Sequence, residues 1–144
     1  MQISSRFTIA LHILTAIHTF KDKYRVTSEF LSGSVQANPV IIRNILLQLK
    51  AAGMVKIPRG RTSESITLLK KPEEISLLSV YSAIEPLESD TLFAFHKNPN
   101  PSCPVGKNIH SILDDRLLSV QKAMEDKLKN MKLSDILSDL NQLI

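Results

Sequence analysis

A chain of 144 residues, 43% hydrophobic and 22% charged, has the length of one domain, or of one small domain with an appended helix, and enough apolar material for a core. Its net charge of +4 is carried by the first half, which excludes neither nucleic acid nor an anionic membrane as a partner. No apolar run approaches the roughly 18 residues needed to span a bilayer, the opening Met1-Gln2-Ile3-Ser4-Ser5-Arg6 is not a signal peptide, and the single cysteine, Cys103, excludes an intrachain disulfide and suits a cytoplasmic location.

Ser4 or Ser5 can cap a first helix whose apolar stripe is Phe7, Ala10, Leu11, Leu14, Ile17 and His18, ending near Phe20-Lys21-Asp22. His12 and His18 read as histidines on the face of this helix. Thr27 is placed to cap a short second helix that buries Leu31 and Val35, with Gly33 weakening it and Phe30 on its more exposed side. Asn38-Pro39 is a start signal, a capping side chain followed by proline at the first helical position. The third helix then sets Ile42, Ile45, Leu46 and Leu49 at i, i+3, i+4 and i+7, one inward face. Gly53 follows where a left-handed terminating residue belongs, and the short gap between helices two and three forces a sharp angle.

Met54–Ile57 and Ser65–Leu69 read as two short strands around the turn Pro58-Arg59-Gly60-Arg61-Thr62-Ser63, a hairpin with arginines at its tip. Ser76 opens a fourth helix with Leu77, Val80, Tyr81 and Ile84 inward. Residues 85–104 are irregular and hold prolines 86, 99, 101 and 104. From Val105 a long helix carries Ile109, Ile112, Leu113, Leu117, Val120, Met124 and Leu128, and Ser134 can cap a final short helix using Ile136, Leu137 and Leu140. The fold class expected is mainly α with a small two-stranded β wing: a winged helix-turn-helix over residues 1–71, a connecting helix and Pro-rich sensor-like loop over 72–104, and a dimerisation helix with a short C-terminal helix over 105–144.

Charge and helix faces then narrow the partner. Residues 1–71 hold eleven Lys/Arg against three acids, a net of +8, whereas residues 72–144 hold seven against eleven, a net of −4. A basic half joined to an acidic one suggests that the first meets a polyanion. With its inward quartet buried, the third helix offers Val40, Ile41, Arg43, Asn44, Leu47 and Gln48. Arg can pair with guanine, Asn or Gln with adenine, and an apolar side chain can meet the thymine methyl. The first turn, with Val40 and Ile41, is the part a recognition helix pushes deepest into the major groove. Lys56, Arg59 and Arg61 around the Gly60 turn suit a backbone or a minor groove. Ser4, Ser5 and Arg6 at the first helix's start, with Thr27, Ser28 and Asn38 at the next two, complete the DNA-binding candidates, because helix N-termini offer free N–H groups to phosphate.

These residues resemble the Rrf2 family of bacterial winged-helix regulators. The opening Met1-Gln2-Ile3-Ser4-Ser5-Arg6-Phe7 is similar to the family's start, and Asn38-Pro39-Val40-Ile41-Ile42-Arg43, with Leu46, Leu49 and Ala52-Gly53-Met54-Val55, to its recognition helix. Arg59-Gly60 is similar to its wing, and Pro72-Glu73-Glu74-Ile75-Ser76-Leu77-Leu78 to the segment that follows. The resemblance covers essentially the whole chain. It implies a homodimer on a partly palindromic double-stranded DNA operator, usually as a repressor, with the long helix crossing its partner's. Two departures stand out. The wing reads Arg61-Thr62-Ser63-Glu64-Ser65 where the family's is glycine-rich, so a stiffer tip is expected. Cluster-binding members use three cysteines, and this chain has only the last, Cys103. An iron–sulfur cluster needs several thiolates, so no cofactor is expected, and the stretch from His96 to Gly106 is closer to the cluster-free branch.

Cys103 is the sensor candidate: a helix N-terminus and Lys107 one turn on could activate its thiol for redox or electrophile chemistry, although a small residue closing a turn fits as well. A metal site from His96, Cys103 and His110 has irregular spacing, and none is expected. The stripe Ile109, Ile112, Leu113, Leu117, Val120, Met124 and Leu128 is too long for a small wing domain to cover, and a second copy is the economical partner. The rival reading is a winged-helix protein-interaction module with Val40 and Ile41 as docking residues. An enzyme would need a base and an oxyanion site beside Cys103, and no such arrangement is visible. The inducing small molecule or oxidant is not legible.

Overall fold

The computed structural model describes residues 3–85 and 92–144. Met1 and Gln2 of the family-like opening, and residues 86–91 of the expected irregular stretch with its first proline, lie outside them. The order is α1 (Ser5–Phe20), α2 (Ser28–Val35), α3 (Pro39–Ala51), β1 (Val55–Lys56), β2 (Thr67–Leu68), a 3-10 turn (Pro72–Glu74), α4 (Leu77–Ile84), α5 (Pro104–Lys129) and α6 (Leu133–Asn141). It is a mainly helical winged-helix fold.

Local capping chemistry starts most of these helices. Ser4 Oγ accepts from Arg6 N at 3.0 Å, Thr27 Oγ1 from Phe30 N at 3.1 Å, Asn38 Oδ1 from Val40 N at 2.8 Å and Ser76 Oγ from Ser79 N at 3.1 Å. Each satisfies an amide that the first helical turn would leave open. α1 is the hub, packing against α2, α3, α4, α6 and β2. It therefore buries a wider arc than its expected stripe: Ile13 and Ala16 join Ala10, Leu14 and Ile17, while Leu11 and His18 are only half-buried. Burial moves the His18 imidazole below its ordinary pKa, with Lys21 adding to the shift and Glu73 and Asp22 opposing it. Exposed His12 bonds Ser34 Oγ at 2.9 Å.

α2 buries Leu31, leaves Val35 and Phe30 half-buried, and stops at Gln36, whose φ of 58° places it in the left-handed region. Its N–H donates to Ser32 O at 2.8 Å. For a residue with a Cβ this conformation costs about 1–2 kcal/mol; it lets Gln36, Ala37 and Asn38 make the sharp turn into α3. α3 buries Ile42, Ile45, Leu46 and Leu49 as its spacing predicts. Its end is a Schellman motif: Met54 N donates to Leu49 O at 3.0 Å and Gly53 N to Lys50 O at 2.9 Å, with Gly53 at φ 74°. Glycine takes that φ without the Cβ penalty.

The wing strands are shorter than their patterning suggests. β1 and β2 pair antiparallel with Val55 opposite Leu68 and Lys56 opposite Thr67. Upstream of β2, Ile66 N turns to Val26 O at 2.9 Å, and Val26 N donates to Ser65 Oγ at 2.9 Å. The hairpin is thus anchored to the chain entering α2, and Pro58 has no N–H with which to lengthen the ladder.

α4 buries Leu77, Val80, Tyr81 and Ile84 as expected. α6 begins one residue before Ser134, which is not its cap. Leu77 N donates to Met131 O and Leu133 N to Ile75 O, both at 2.9 Å. This backbone pairing holds residues 131–133 extended up to the helix start, and Asp135 closes the turn by accepting from Lys132 N at 2.9 Å. Leu133, missing from the expected face, is fully buried.

Two compact units result, residues 3–85 with 129–144 and residues 92–128. The first holds the winged helix, α4 and α6 around one core; the second holds the Pro-rich segment and nearly all of α5. Among the described residues no helix is long and apolar enough to cross a membrane.

Candidate nucleic-acid interface

The outer face of α3 is open. Val40 is 56% exposed, Ile41 36% and Leu47 57%, and Arg43 and Asn44 between them are exposed as well. Asn38 is exposed but spends its side-chain oxygen on the cap. Pro39 at the first helical position has no N–H to satisfy, so the start of α3 stands clear for a groove.

The wing presents exposed Lys56, Arg59 and Arg61. Gly60, at φ 72°, turns its tip. Arg25 donates to Thr62 O and Glu64 N donates to Thr62 Oγ1 at 3.1 Å, so side chains brace a tip where glycines would leave it loose. Between the start of α2, α3 and the wing runs a cavity of about 410 Å³, lined among others by Thr27, Ser28, Arg43, Leu47 and Pro58. Thr27 and Ser28 are half-buried, and Thr27 caps α2.

The start of α1 is more committed than its sequence suggests. Ser4 uses its hydroxyl as the cap and its N–H on Glu85 Oε1 at 3.2 Å. Arg6 Nη2 donates to Gln48 Oε1 at 2.6 Å, and Gln48 Nε2 reaches Ile84 O at 3.5 Å. Arg6 and Gln48, two DNA-binding candidates, thus engage each other. Ser5 is exposed, and its carbonyl accepts from Thr8 Oγ1 at 2.9 Å. In the sequence Gln48 stands with the other outward positions of α3 and nothing local marks the tie, because its partner is 42 residues away.

In the other unit, Cys103 stands one residue before α5, its carbonyl accepting from Lys107 N at 2.8 Å. Its half-exposed thiol takes hydrogen bonds from the N–H of Gly106, the larger effect, and of Val105, which hold it below the ordinary thiol pKa; slight desolvation opposes them. The Pro-rich segment folds over this turn. Ser102 N donates to Asn100 Oδ1 at 2.9 Å and Cys103 N to Asn100 O at 3.2 Å. A Cβ on Gly106 would strike the Asn100 backbone, so the close approach requires glycine. His96 and His110 lie with ring centroids 5.0 Å apart, and His110 Nδ1 is 3.0 Å from Asp114 Oδ1. Among the described residues no three potential metal donors gather.

Of the expected dimerisation stripe, Ile112 is 58% exposed and Val120 53%, and Val105, outside that stripe, is 67% exposed. Ile109, Leu113, Leu117, Met124 and Leu128 are half-buried. The covered side of α5 centres on Gln121, whose Oε1 accepts from Leu92 N at 2.7 Å.

Comparison with known proteins agrees with this layout. The family described as "Rrf2: Iron-dependent Transcriptional regulator" matches residues 3–139. A Bacillus subtilis (strain 168) protein, YwnA, named as an HTH-type transcriptional regulator, is 42% identical over 96% of this chain and 98% of its own. A solved structure described as a DNA-binding protein is 37% identical, with a TM-score of 0.69 over 92% of this chain and 99% of that one. CymR, the global cysteine regulator of B. subtilis, shares the fold, with a TM-score of 0.68 at 17% identity over 96% of this chain and 97% of its own. The donor set here does not fit an iron–sulfur cluster, which needs several thiolates, because the whole sequence has one cysteine. By the family match and the 42% identical relative, the chain belongs to the Rrf2 family: it is a winged-helix transcriptional regulator and not an enzyme.

Proposed function

We propose that the protein is a sequence-specific, homodimeric repressor of a partly palindromic operator. The reading is carried by the open face of α3, where Val40, Arg43 and Asn44 are exposed beside a basic wing. α3 lies in the major groove, with Val40, Ile41, Arg43 and Asn44 toward base edges. Lys56, Arg59 and Arg61 meet the sugar-phosphate backbone or minor groove, and Ser5 and Ser28 bring the starts of α1 and α2 to phosphates, while Ser4, Thr27 and Asn38 hold the three helix starts through their caps. Arg6 and Gln48 belong to the same region through each other. The winged helix with its basic half is the DNA-binding part, and α5 joins two copies through Ile109, Ile112, Leu113, Leu117, Val120, Met124 and Leu128. The single thiol and the absence of a thiolate set favour a cofactor-free regulator acting in the cytoplasm.

The test is binding measured across salt concentrations on operator DNA selected from random sequence. Arg59→Ala is expected to weaken binding to all sequences and to lower the slope of log affinity against log salt by about 1, as for a lost phosphate contact. Arg43→Ala or Asn44→Ala should instead relax preference at particular bases, by about 1–3 kcal/mol each. If Arg43, Asn44 and Arg59 can all be replaced with no change in DNA affinity, the reading is wrong, and a protein-docking role for Val40 and Ile41 replaces it.

Control is proposed to run through Cys103, whose oxidation or alkylation would disturb the capped first turn of α5 and so the pairing of the two copies. Because N–H groups favour the thiolate, its alkylation should rise at a lower pH than that of free cysteine. A pH–rate profile for alkylation checks this, and a midpoint and rate no different from free cysteine would remove the switch.

A further inference from the structure

We propose that the last base-reading position of α3 is Leu47, and that Gln48 is a positioning residue held away from the bases by Arg6. This rests on the operator-binding reading above and assigns its register. With about 100° of rotation per residue, the buried quartet of Ile42, Ile45, Leu46 and Leu49 sets the inward direction of α3. Val40, Asn44 and Leu47 then lie nearest the opposite direction, Leu47 only about 20° from Val40. Exposure follows this geometry: Val40 is 56% exposed and Leu47 57%, whereas Ile41 on the flank is 36% exposed and Gln48 beneath it is half-buried.

Single exposed leucines are ordinary. Leu47 differs because it extends the apolar row begun by Val40, stands one turn beyond Arg43 and lines the cavity facing the wing residues Ile57 and Pro58. A side chain with no donor or acceptor, set between Asn44 and Arg43, suits the C5-methyl of thymine.

Gln48 has the groups to read adenine, but both ends are engaged. Its Oε1 accepts from Arg6 Nη2 at 2.6 Å, and its Nε2 points to Ile84 O at 3.5 Å. The nearby bond from Ser4 N to Glu85 Oε1 ties the start of α1 to the same end of α4. Together they fix how α3 is rotated against α1 and α4, and so which side chains face a groove.

The experiment compares wild type, Leu47→Ala, Gln48→Ala and Gln48→Glu on operator DNA recovered by selection, with each thymine replaced in turn by uracil. Removing the methyl at the contacted position should weaken wild type about fourfold, while Leu47→Ala should bind the thymine and uracil duplexes equally. Gln48→Ala should lose about threefold to tenfold on all sequences with an unchanged base-preference profile. Gln48→Glu, which still accepts from Arg6, should recover most of that loss. The register is overturned if Leu47→Ala keeps the thymine-over-uracil difference, if Gln48→Ala alters preference at one base pair, or if Gln48→Glu binds worse than Gln48→Ala, as an anion facing DNA must. If wild type selects no motif at all, it is the operator-binding reading that fails.

Discussion

Placing aspartate at both Ile112 and Val120 is expected to leave a folded monomer that binds operator DNA on the order of 10²- to 10⁴-fold more weakly than wild type. Both side chains are more than half exposed on α5, so charging them costs the isolated chain little. In a dimer, each aspartate would be buried unpaired among apolar side chains, a large penalty. α5 has 26 residues and is therefore about 39 Å long. Apolar positions recur along it at Ile109, Ile112, Leu113 and Val120, and the charged pair Lys122–Asp126 lies on the side of the helix away from Val120. Two recognition helices must sit about one duplex turn apart to read a palindrome; without a fixed spacer each half-site binds alone and the gain of linkage disappears. Sedimentation gives the mass and anisotropy on full and half operators gives the affinity. A double variant that stays dimeric, or a monomer that binds the full operator as tightly as wild type, refutes the role of α5.

What was legible in the chain was what is decided locally. The caps at Ser4, Thr27, Asn38 and Ser76 depend on a side chain and an amide two or three residues away. The buried quartet of α3 depends on one helical period. The less legible features depend on distant residues. Gln36 takes a left-handed turn for which glycine or asparagine would be the ordinary choice, because the α2–α3 angle is set by packing. The wing strands shorten because Ile66 pairs with Val26, forty residues upstream. Leu133 looks like a linker residue until its pairing with Ile75 draws it into the core. On the outer side of α1 and α3, Arg6 and Gln48 each looked available singly; only their meeting across the two helices reveals that one satisfies the other.

Leu49→Ala is expected to destabilise the winged-helix unit by about 2–5 kcal/mol. Leu49 is fully buried in the core shared with α1, α2 and α4. Truncating it removes transfer free energy and leaves a cavity that surrounding helices, each capped and cross-bonded, fill only in part. Against a domain stability of about 5–15 kcal/mol, that loss should shift urea and thermal midpoints visibly. Leu47→Ala, two residues earlier and 57% exposed, should stay within about 0.5 kcal/mol of wild type. The contrast isolates the two faces of one helix. If Leu49→Ala unfolds as wild type does, or Leu47→Ala loses as much stability as Leu49→Ala, α3 is not held by its inward quartet. With that anchoring gone, the assignment of its outer face to DNA loses its footing too, since a helix free to rotate presents no fixed row of side chains to a groove.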